Sequence, residues 1–210
     1  MLLEGTVGES GATFGLGEKV DHPVRLGRQG DLIVSDLHAR YYTQAYYQNL
    51  YWARAVVTAP VIFTTAAGTG GPLIWNPVNS KTNVVVLGLS LAVTTVTTVA
   101  AGLGITGASG QTSAPTSTTA IDSQQNAYIG GAASTATPFR VGTPTNAGTF
   151  FIPFFHLHTG ALTTDTSGAH WVDIGGSVVC PPGSWVAVAA SATATTTVAQ
   201  IGMLYVEVPI

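Results

Sequence analysis

Apolar and polar positions alternate along much of the chain after residue 55. The pattern is most regular over residues 85–93, where large aliphatic side chains occupy the odd positions and mostly small or polar residues the even ones. A period of two is typical of a half-buried β-strand. The uncharged stretch 83–105 is long enough to cross a bilayer, but its period favours a strand over a membrane-spanning helix.

Further segments rich in β-branched residues follow, with Gly and Pro between them. They predict strands near 127–130, 138–142, 149–158, 169–174, 177–180, 184–191 and 198–208. Residues 106–120, rich in Ser, Thr, Gly and Pro, predict a loop. No segment after residue 55 has the 3.6-residue period of an amphipathic helix. The sequence therefore predicts an all-β fold, an antiparallel β-sandwich of the jelly-roll type.

The first 54 residues have a different character. Residues 1–30 are Gly-rich and polar with no sustained period, which indicates an extended arm. Ser35 or Asp36 is placed to cap a short helix. We therefore divide the chain into an N-terminal arm with a short helix, residues 1–54, and a sandwich body, residues 55–210.

Six aromatic residues stand in three pairs spaced five apart, which fits neither one helical face nor one strand. They are Tyr41, Tyr42, Tyr46, Tyr47, Tyr51 and Trp52. Aromatic side chains combine a large apolar area with a polar tip, which suits interfaces. Two interpretations stay open: the belt contacts another subunit, or it seals the underside of the molecule's own sheet.

Charge is scarce and unevenly distributed. Only 8% of the residues are charged, against roughly 25% in an ordinary soluble domain. Eleven of the seventeen (seven basic plus ten acidic) lie in residues 1–54. The net charge of −3 gives no reason to expect a nucleic acid or an anionic membrane as partner. A surface with so few charges is typical of proteins that pack against copies of themselves or a larger particle.

Three histidines are candidate metal ligands. His156 and His158 would project from the same face of a strand, and His170 could supply a third imidazole. A jelly-roll metal site would also need a nearby glutamate, but no glutamate occurs between Glu18 and Glu207. The favoured interpretation is that the histidines are incidental and that the phenylalanine-rich strand around them builds a core. We therefore predict no metal and no other cofactor.

Other chemistry finds little support. No G-x-S-x-G nucleophile elbow and no Gly-Lys-Ser/Thr phosphate loop occurs. Cys180 is followed by two prolines, with no helix predicted to lower its pKa. We expect a protein that is not an enzyme and has no catalytic residue.

Three stretches of the chain together suggest a family. "GDLIVSDLHARYY" leads through the aromatic belt into "PLIWNPVNSKTNVVVLGLSL", and the sequence closes with "PPGSWVAVAAS" and "VAQIGMLYVEVPI". In style and order this resembles virion structural proteins of tailed bacteriophages, in particular small β-sandwich proteins that decorate or cement the capsid or form head fibres.

The resemblance implies a homotrimer on the capsid exterior that bridges neighbouring copies of the major capsid protein. Its arm and belt would be the contact surface. The implied interface residues are Arg25, Arg28, Asp31, Asp36, Arg40, Tyr41, Tyr42, Tyr46, Tyr47, Tyr51 and Trp52.

Two alternatives stay open. The protein could be a tail or fibre component that binds a host-surface glycan, with Trp75, Trp171 or Trp185 as a stacking platform. The core is the favoured position for each of these tryptophans, because large aromatics on β-rich stretches are usually well buried. The second alternative is a metal-dependent jelly-roll enzyme.

Overall fold

The computed structural model describes residues 4–6, 21–23, 40–58, 69–95, 101–157, 169–192 and 198–210. The chain divides into two compact units, Met1–Arg40 and Tyr41–Ile210. In the first unit, strands β1 (Glu4–Thr6) and β2 (Asp21–Pro23) form an antiparallel pair. The second unit contains the sandwich.

The second unit begins with a one-turn helix, α1 (Tyr42–Tyr46), and continues in strands over its described residues. The strands are β3 (Leu50–Thr58), β4 (Thr69–Asn76), β5 (Thr82–Thr95), β6 (Ala101–Ser109), β7 (Thr116–Ala120), β8 (Ser123–Asn126), β9 (Thr137–Thr143), β10 (Phe150–Leu157), β11 (Ala169–Cys180), β12 (Ser184–Ala190) and β13 (Val198–Pro209). They form a five-stranded sheet in the order β11-β5-β13-β3-β8 and a six-stranded sheet in the order β10-β6-β12-β4-β9-β7. All pairings are antiparallel, so the predicted antiparallel sandwich is confirmed.

The connectivity is that of a jelly roll. When β7, β8 and β9 are set aside, the remaining eight strands have the orders β3-β13-β5-β11 and β4-β12-β6-β10. Successive strands then alternate between the sheets from β3 to β6, and again from β10 to β13, as in two interlocked Greek keys. The three remaining strands form an insertion between β6 and β10. Within it β8 extends the five-stranded sheet beyond β3, while β9 and β7 extend the six-stranded sheet beyond β4.

One apolar layer fills the space between the sheets. Alternate residues of β3 and β13 supply its centre from the five-stranded sheet, including Tyr51 and Tyr205, whose rings stack with centroids 5.5 Å apart. Ile105 and Val188 face them from the six-stranded sheet. These side chains are buried because a strand places every second side chain on the same face.

The alternation predicted for β5 is interrupted by a β-bulge. Val84 and Val86 face the core together with Leu89 and Leu91, whereas Val85 and Leu87 lie on the outer face. Pairing with β13 passes from Leu204–Gly88 to Tyr205–Val86, so Leu87 is an extra residue in its strand. An extra residue inverts the facing of everything on one side of it. The prediction that all odd positions from 85 to 93 share one face was therefore wrong.

Four other boundaries differ from the prediction. The two strands predicted at 169–174 and 177–180 are one strand, β11, whose register shifts between Asp173 and Val178. Residues 127–130 form a turn, and the neighbouring strand β8 ends at Asn126. The loop predicted over 106–120 is limited to 110–115, because both its ends pair in the six-stranded sheet. Residues 50–54, assigned to the arm, belong to β3, which is paired with β13 on one side and β8 on the other. Within the described ranges, no helix is long and apolar enough to cross a membrane.

Candidate functional site

The outer face of the five-stranded sheet carries a groove built from two neighbouring rows of side chains. The strand register aligns Trp171, Ser90, Gly202, Arg54 and Ser123 across the sheet in one row. The next row contains Asp173, Gly88, Leu204, Trp52 and Gln125. Because directly opposed residues in an antiparallel sheet share a face, this register brings the ten side-chain positions onto one surface.

Two tryptophans meet above this surface. The rings of Trp52 and Trp171 lie with centroids 5.6 Å apart at an interplanar angle of 54°. The Trp171 indole occupies the space that a Cβ atom would take at Gly88. Glycine at this position therefore allows the ring to lie down on the sheet instead of standing away from it. Both indoles stay accessible, with 37% of Trp52 and 48% of Trp171 exposed.

The groove beside Trp52, which we call the tryptophan groove, has a volume of about 520 Å³. It is lined by Trp52, Arg54, Ser90, Ser123, Gln125, Asn126, Ala127, Ile129 and Gly202. Gly202 belongs to the lining, and the Ser90 hydroxyl occupies the space that a Cβ atom would take there. Trp52 gives the groove an aromatic wall, and the side chains of Arg54, Ser90, Ser123 and Gln125, which we call the polar wall, line much of the rest.

The side chains of the polar wall have no hydrogen-bond partner among the described residues. In the part of the chain that the structure describes, the side chains of Arg54, Ser90, Ser123 and Gln125 make no hydrogen bond or ion pair. The Asn126 side chain is committed to the scaffold, because its Nδ2 donates to the carbonyls of Gln48 (2.7 Å) and Ala132 (3.0 Å). The groove thus offers hydrogen-bond donors and acceptors to a ligand, on a backbone that the Asn126 side chain holds in place.

A buried carboxylate fixes the insertion that supplies this wall. Glu207 on β13 is 5% exposed and accepts hydrogen bonds from the backbone N–H groups of Thr135 and Ala136 and from the hydroxyls of Ser134 and Thr135. Tyr205 joins the same network by donating to Ser134 at 2.9 Å. Four donors satisfy the charge, so the loop that follows β8 is held to the sandwich.

Helix α1 covers the other end of the outer face. Tyr41 and Ala45 pack on a cluster formed by Leu50, Leu204 and Val206. The groove begins where this cover ends, since Leu204 is the neighbour of Trp52 across the sheet. The exposed part of this sheet face is therefore limited to the region that α1 leaves uncovered.

The aromatic belt is divided between packed and exposed side chains, and its predicted contact with another subunit stays a prediction. Tyr51 points into the core, and Tyr41 packs on the sheet, as expected of a seal. Tyr42, Tyr46 and Tyr47 are more than 40% exposed, with Tyr42 and Tyr46 stacked at 6.0 Å. The five-residue spacing arises because one pair opens α1, one pair closes it, and Tyr51 and Trp52 point to opposite faces of β3.

The charged residues predicted for the interface fall largely outside the description. Arg25, Arg28, Asp31 and Asp36 lie outside the described residues, and Arg40 is exposed at the end of the first unit. Their predicted role in an interface stays a prediction.

The candidate metal ligands are only partly placed. His158 and the side chain of His156 lie outside the described part of the chain. His170 is exposed and packs against Phe155, with ring centroids 5.0 Å apart. Among the described residues, no group of three or more His, Cys, Asp and Glu side chains is close enough to hold a metal ion.

Cys180 lies in the apolar core at the end of β11. Burial raises the pKa of its thiol to about 12, although a hydrogen bond involving Asn76 acts in the opposite direction. Burial also raises the pKa of Tyr205 and, together with the nearby charge of Glu207, that of Tyr51. A thiol with so high a pKa is a poor nucleophile at neutral pH.

A second exposed surface lies at the open side of the sandwich and is apolar. Strands β10 and β11 end the two sheets among the described strands. Phe150, Ile152 and Val179 expose between 36% and 53% of their surface there. Phe150 and Val179 border a common depression of about 190 Å³. We call this surface the open edge.

Arg54 and Gln125 are groove residues that the sequence did not identify. They reach the same surface only because the insertion brings β8 next to β3. The glycines at 88 and 202, which break otherwise regular strands, were the available signal of a close approach on that face. In comparisons with known proteins, no family model, curated protein or solved structure matches the chain.

Proposed function

We propose that the protein is a non-catalytic structural protein of a bacteriophage virion, which forms a homotrimer and decorates or cements the capsid exterior. The observation that carries the proposal is the open edge, where Phe150, Ile152 and Val179 expose apolar surface on strands that end the two sheets among the described strands. Exposed apolar surface on sheet edges favours association with another chain. The resemblance to decoration and head-fibre proteins supports the capsid as the larger partner.

Self-association through this edge meets little electrostatic resistance. The described residues that border the depression between β10 and β11 include no charged side chain. Pro153 lies in the middle of β10 and has no N–H to donate, so a continuous strand-to-strand ladder is interrupted there. Association would therefore rest on side-chain packing between copies.

The oligomeric state tests this proposal directly. We expect the wild-type protein to be a trimer by light scattering after size exclusion, and Val179→Asp to be a folded monomer. Val78→Asp is the matched control, because Val78 is similarly exposed but lies in the turn between β4 and β5. A monomeric wild type, or equal effects of the two variants, would exclude the open edge as the contact.

The capsid contact needs a different variant. Since β3 begins at Leu50 and is paired on both sides, a truncation at residue 54 would remove half of an inner strand. Deletion of residues 1–40 follows the boundary between the two units instead. We expect the shortened protein to stay folded and to lose binding to bare capsids. Saturation of capsids by the shortened protein would place the contact in the sandwich.

A further inference from the structure

We propose that the tryptophan groove is a binding site for a neutral saccharide. This inference is independent of the proposed capsid role, which rests on the open edge and the N-terminal segment. It starts from an unusual placement: two tryptophans of an otherwise well-packed sandwich remain one third to one half exposed and contact each other on an open sheet face.

The aromatic wall suits the apolar face of a sugar ring. A pyranose presents a patch of C–H groups on one face and hydroxyls around its rim. An indole offers a broad apolar surface with little conformational freedom to lose on binding. Trp52 supplies that surface within the groove, and Trp171 supports it from the side, over Gly88.

The polar wall suits the hydroxyl rim. Arg54 and Gln125 contribute N–H donors, Gln125 also contributes a carbonyl acceptor, and the hydroxyls of Ser90 and Ser123 can do either. Because these four side chains make no hydrogen bond within the described residues, a ligand could bind them without breaking a protein contact. A few polar groups beside an apolar wall are the usual composition of a small-molecule site.

Charge and size narrow the class of ligand. Arg54 is the one charged residue among the described residues that line the groove. Polyanionic ligands are generally held by clusters of basic side chains, so a sulfated glycan or a nucleic acid would be poorly matched. The volume of about 520 Å³ lies within the range of small-ligand sites, roughly 300–1,000 Å³. A short neutral oligosaccharide fits both criteria.

The test is a screen of the full-length protein on an array of neutral and acidic glycans, followed by calorimetric titration with the best neutral oligosaccharide. We expect binding to a neutral glycan, and about tenfold weaker binding for Trp52→Ala and for Gln125→Ala. Tyr47→Ala, which removes an exposed aromatic ring outside the groove, should bind as the wild type does. Gln125→Ala keeps the test decisive even where Trp52→Ala fails to fold. The Gln125 side chain is exposed and makes no internal hydrogen bond in the described structure, so its removal should leave the fold intact.

Three results would overturn the inference. One is the absence of binding to neutral glycans at millimolar concentration, and another is binding to acidic glycans alone. The third is loss of self-association in Trp52→Ala, which would assign the groove to a second copy of the chain. Failure of the capsid role would appear elsewhere, in Val179→Asp and in the deletion of residues 1–40.

Discussion

The outer faces of the two sheets are built in opposite ways. On the five-stranded sheet, Trp171 is 48% exposed among polar neighbours, whereas Trp185 on the six-stranded sheet is 2% exposed and packs with Leu73 and Ala187. All seven residues of β12 are buried, so this strand has no solvent-facing side. Phe139 and Trp75 pack on this outer cluster, and the ring of Phe151 lies over Gly104.

The contrast shows that the outer faces of the two sheets contribute to the sandwich in different ways. A strand buried on both faces is a nearly continuous apolar run, as in "SWVAVAA" of β12. A strand with one solvated face alternates, as β3 does at Tyr51, Trp52, Ala53 and Arg54. The outer face of the six-stranded sheet therefore contributes mainly to stability, whereas the outer face of the five-stranded sheet carries the tryptophan groove.

The largest expected effect separates the two tryptophans directly. Trp185→Ala should lower the free energy of unfolding by about 3–5 kcal/mol, because it empties a buried site. Trp171→Ala should cost about 1 kcal/mol, because half of its surface already contacts water. Urea unfolding measures both values. Similar losses for the two variants would mean that the faces do not differ in the way described.

A smaller effect tests how Trp171 lies on its sheet. Gly88→Ala should lower stability by about 1–3 kcal/mol, because the new methyl group overlaps the indole of Trp171. In a Trp171→Ala background the same change should cost much less, which a double-mutant cycle would register as coupling. Ser90→Ala, on the same strand and face, is the control. Additive effects would show that the ring does not rest on Gly88.

The smallest effect concerns the apolar layer between the two sheets. It appears as a dependence of the free energy of unfolding on pH. The pKa of Cys180 is raised from 9.0 to about 12, so the folded state keeps the thiol proton at a pH where the unfolded chain loses it. The stabilisation that comes from this difference in pKa is fully present below pH 9. It decreases as the pH rises towards 12, by at most about 1.4 kcal/mol per pH unit.

Chemical unfolding between pH 8 and 10 would reveal this slope. Cys180→Ala should be less stable overall and have a shallower decline above pH 9. Measurements kept below pH 10 limit the contribution of Tyr205 and Tyr51, whose raised pKa values act in the same direction at higher pH. Equal slopes in wild type and variant would contradict the burial of the thiol.

The architecture was predictable because it depends on local patterns. Period-two alternation and Gly-Pro turns locate β5, β9, β10, β12 and β13 to within one or two residues. The facing of β5 could not be predicted, since the bulge at Leu87 is defined by its pairing with β13, far along the chain. Tyr128 and Ile129 have high strand propensity yet lie in a turn, where Ile129 is 97% exposed. Propensity is overridden when the surrounding pairings leave no partner strand.

The groove was predictable only in part, for the same reason. Trp52 and Trp171 were singled out from the sequence, each in a different context and with no indication that they meet. Their contact requires β3, β13, β5 and β11 to lie side by side, and the polar wall requires the insertion to return to β3. Such arrangements are set by long-range pairing, which a single sequence does not reveal.

The position of β13 has a consequence for the way the protein is made. This strand lies between β3 and β5, yet it leaves the ribosome roughly 140 residues after β3 ends at Thr58. At 5–20 residues per second, the two strands wait on the order of ten seconds for the partner that joins them. During that interval the unpaired N–H and C=O groups at the edges of β3 and β5 are open to pairing with other nascent chains. Synthesis rate, temperature and chaperone supply should therefore affect the yield of soluble protein.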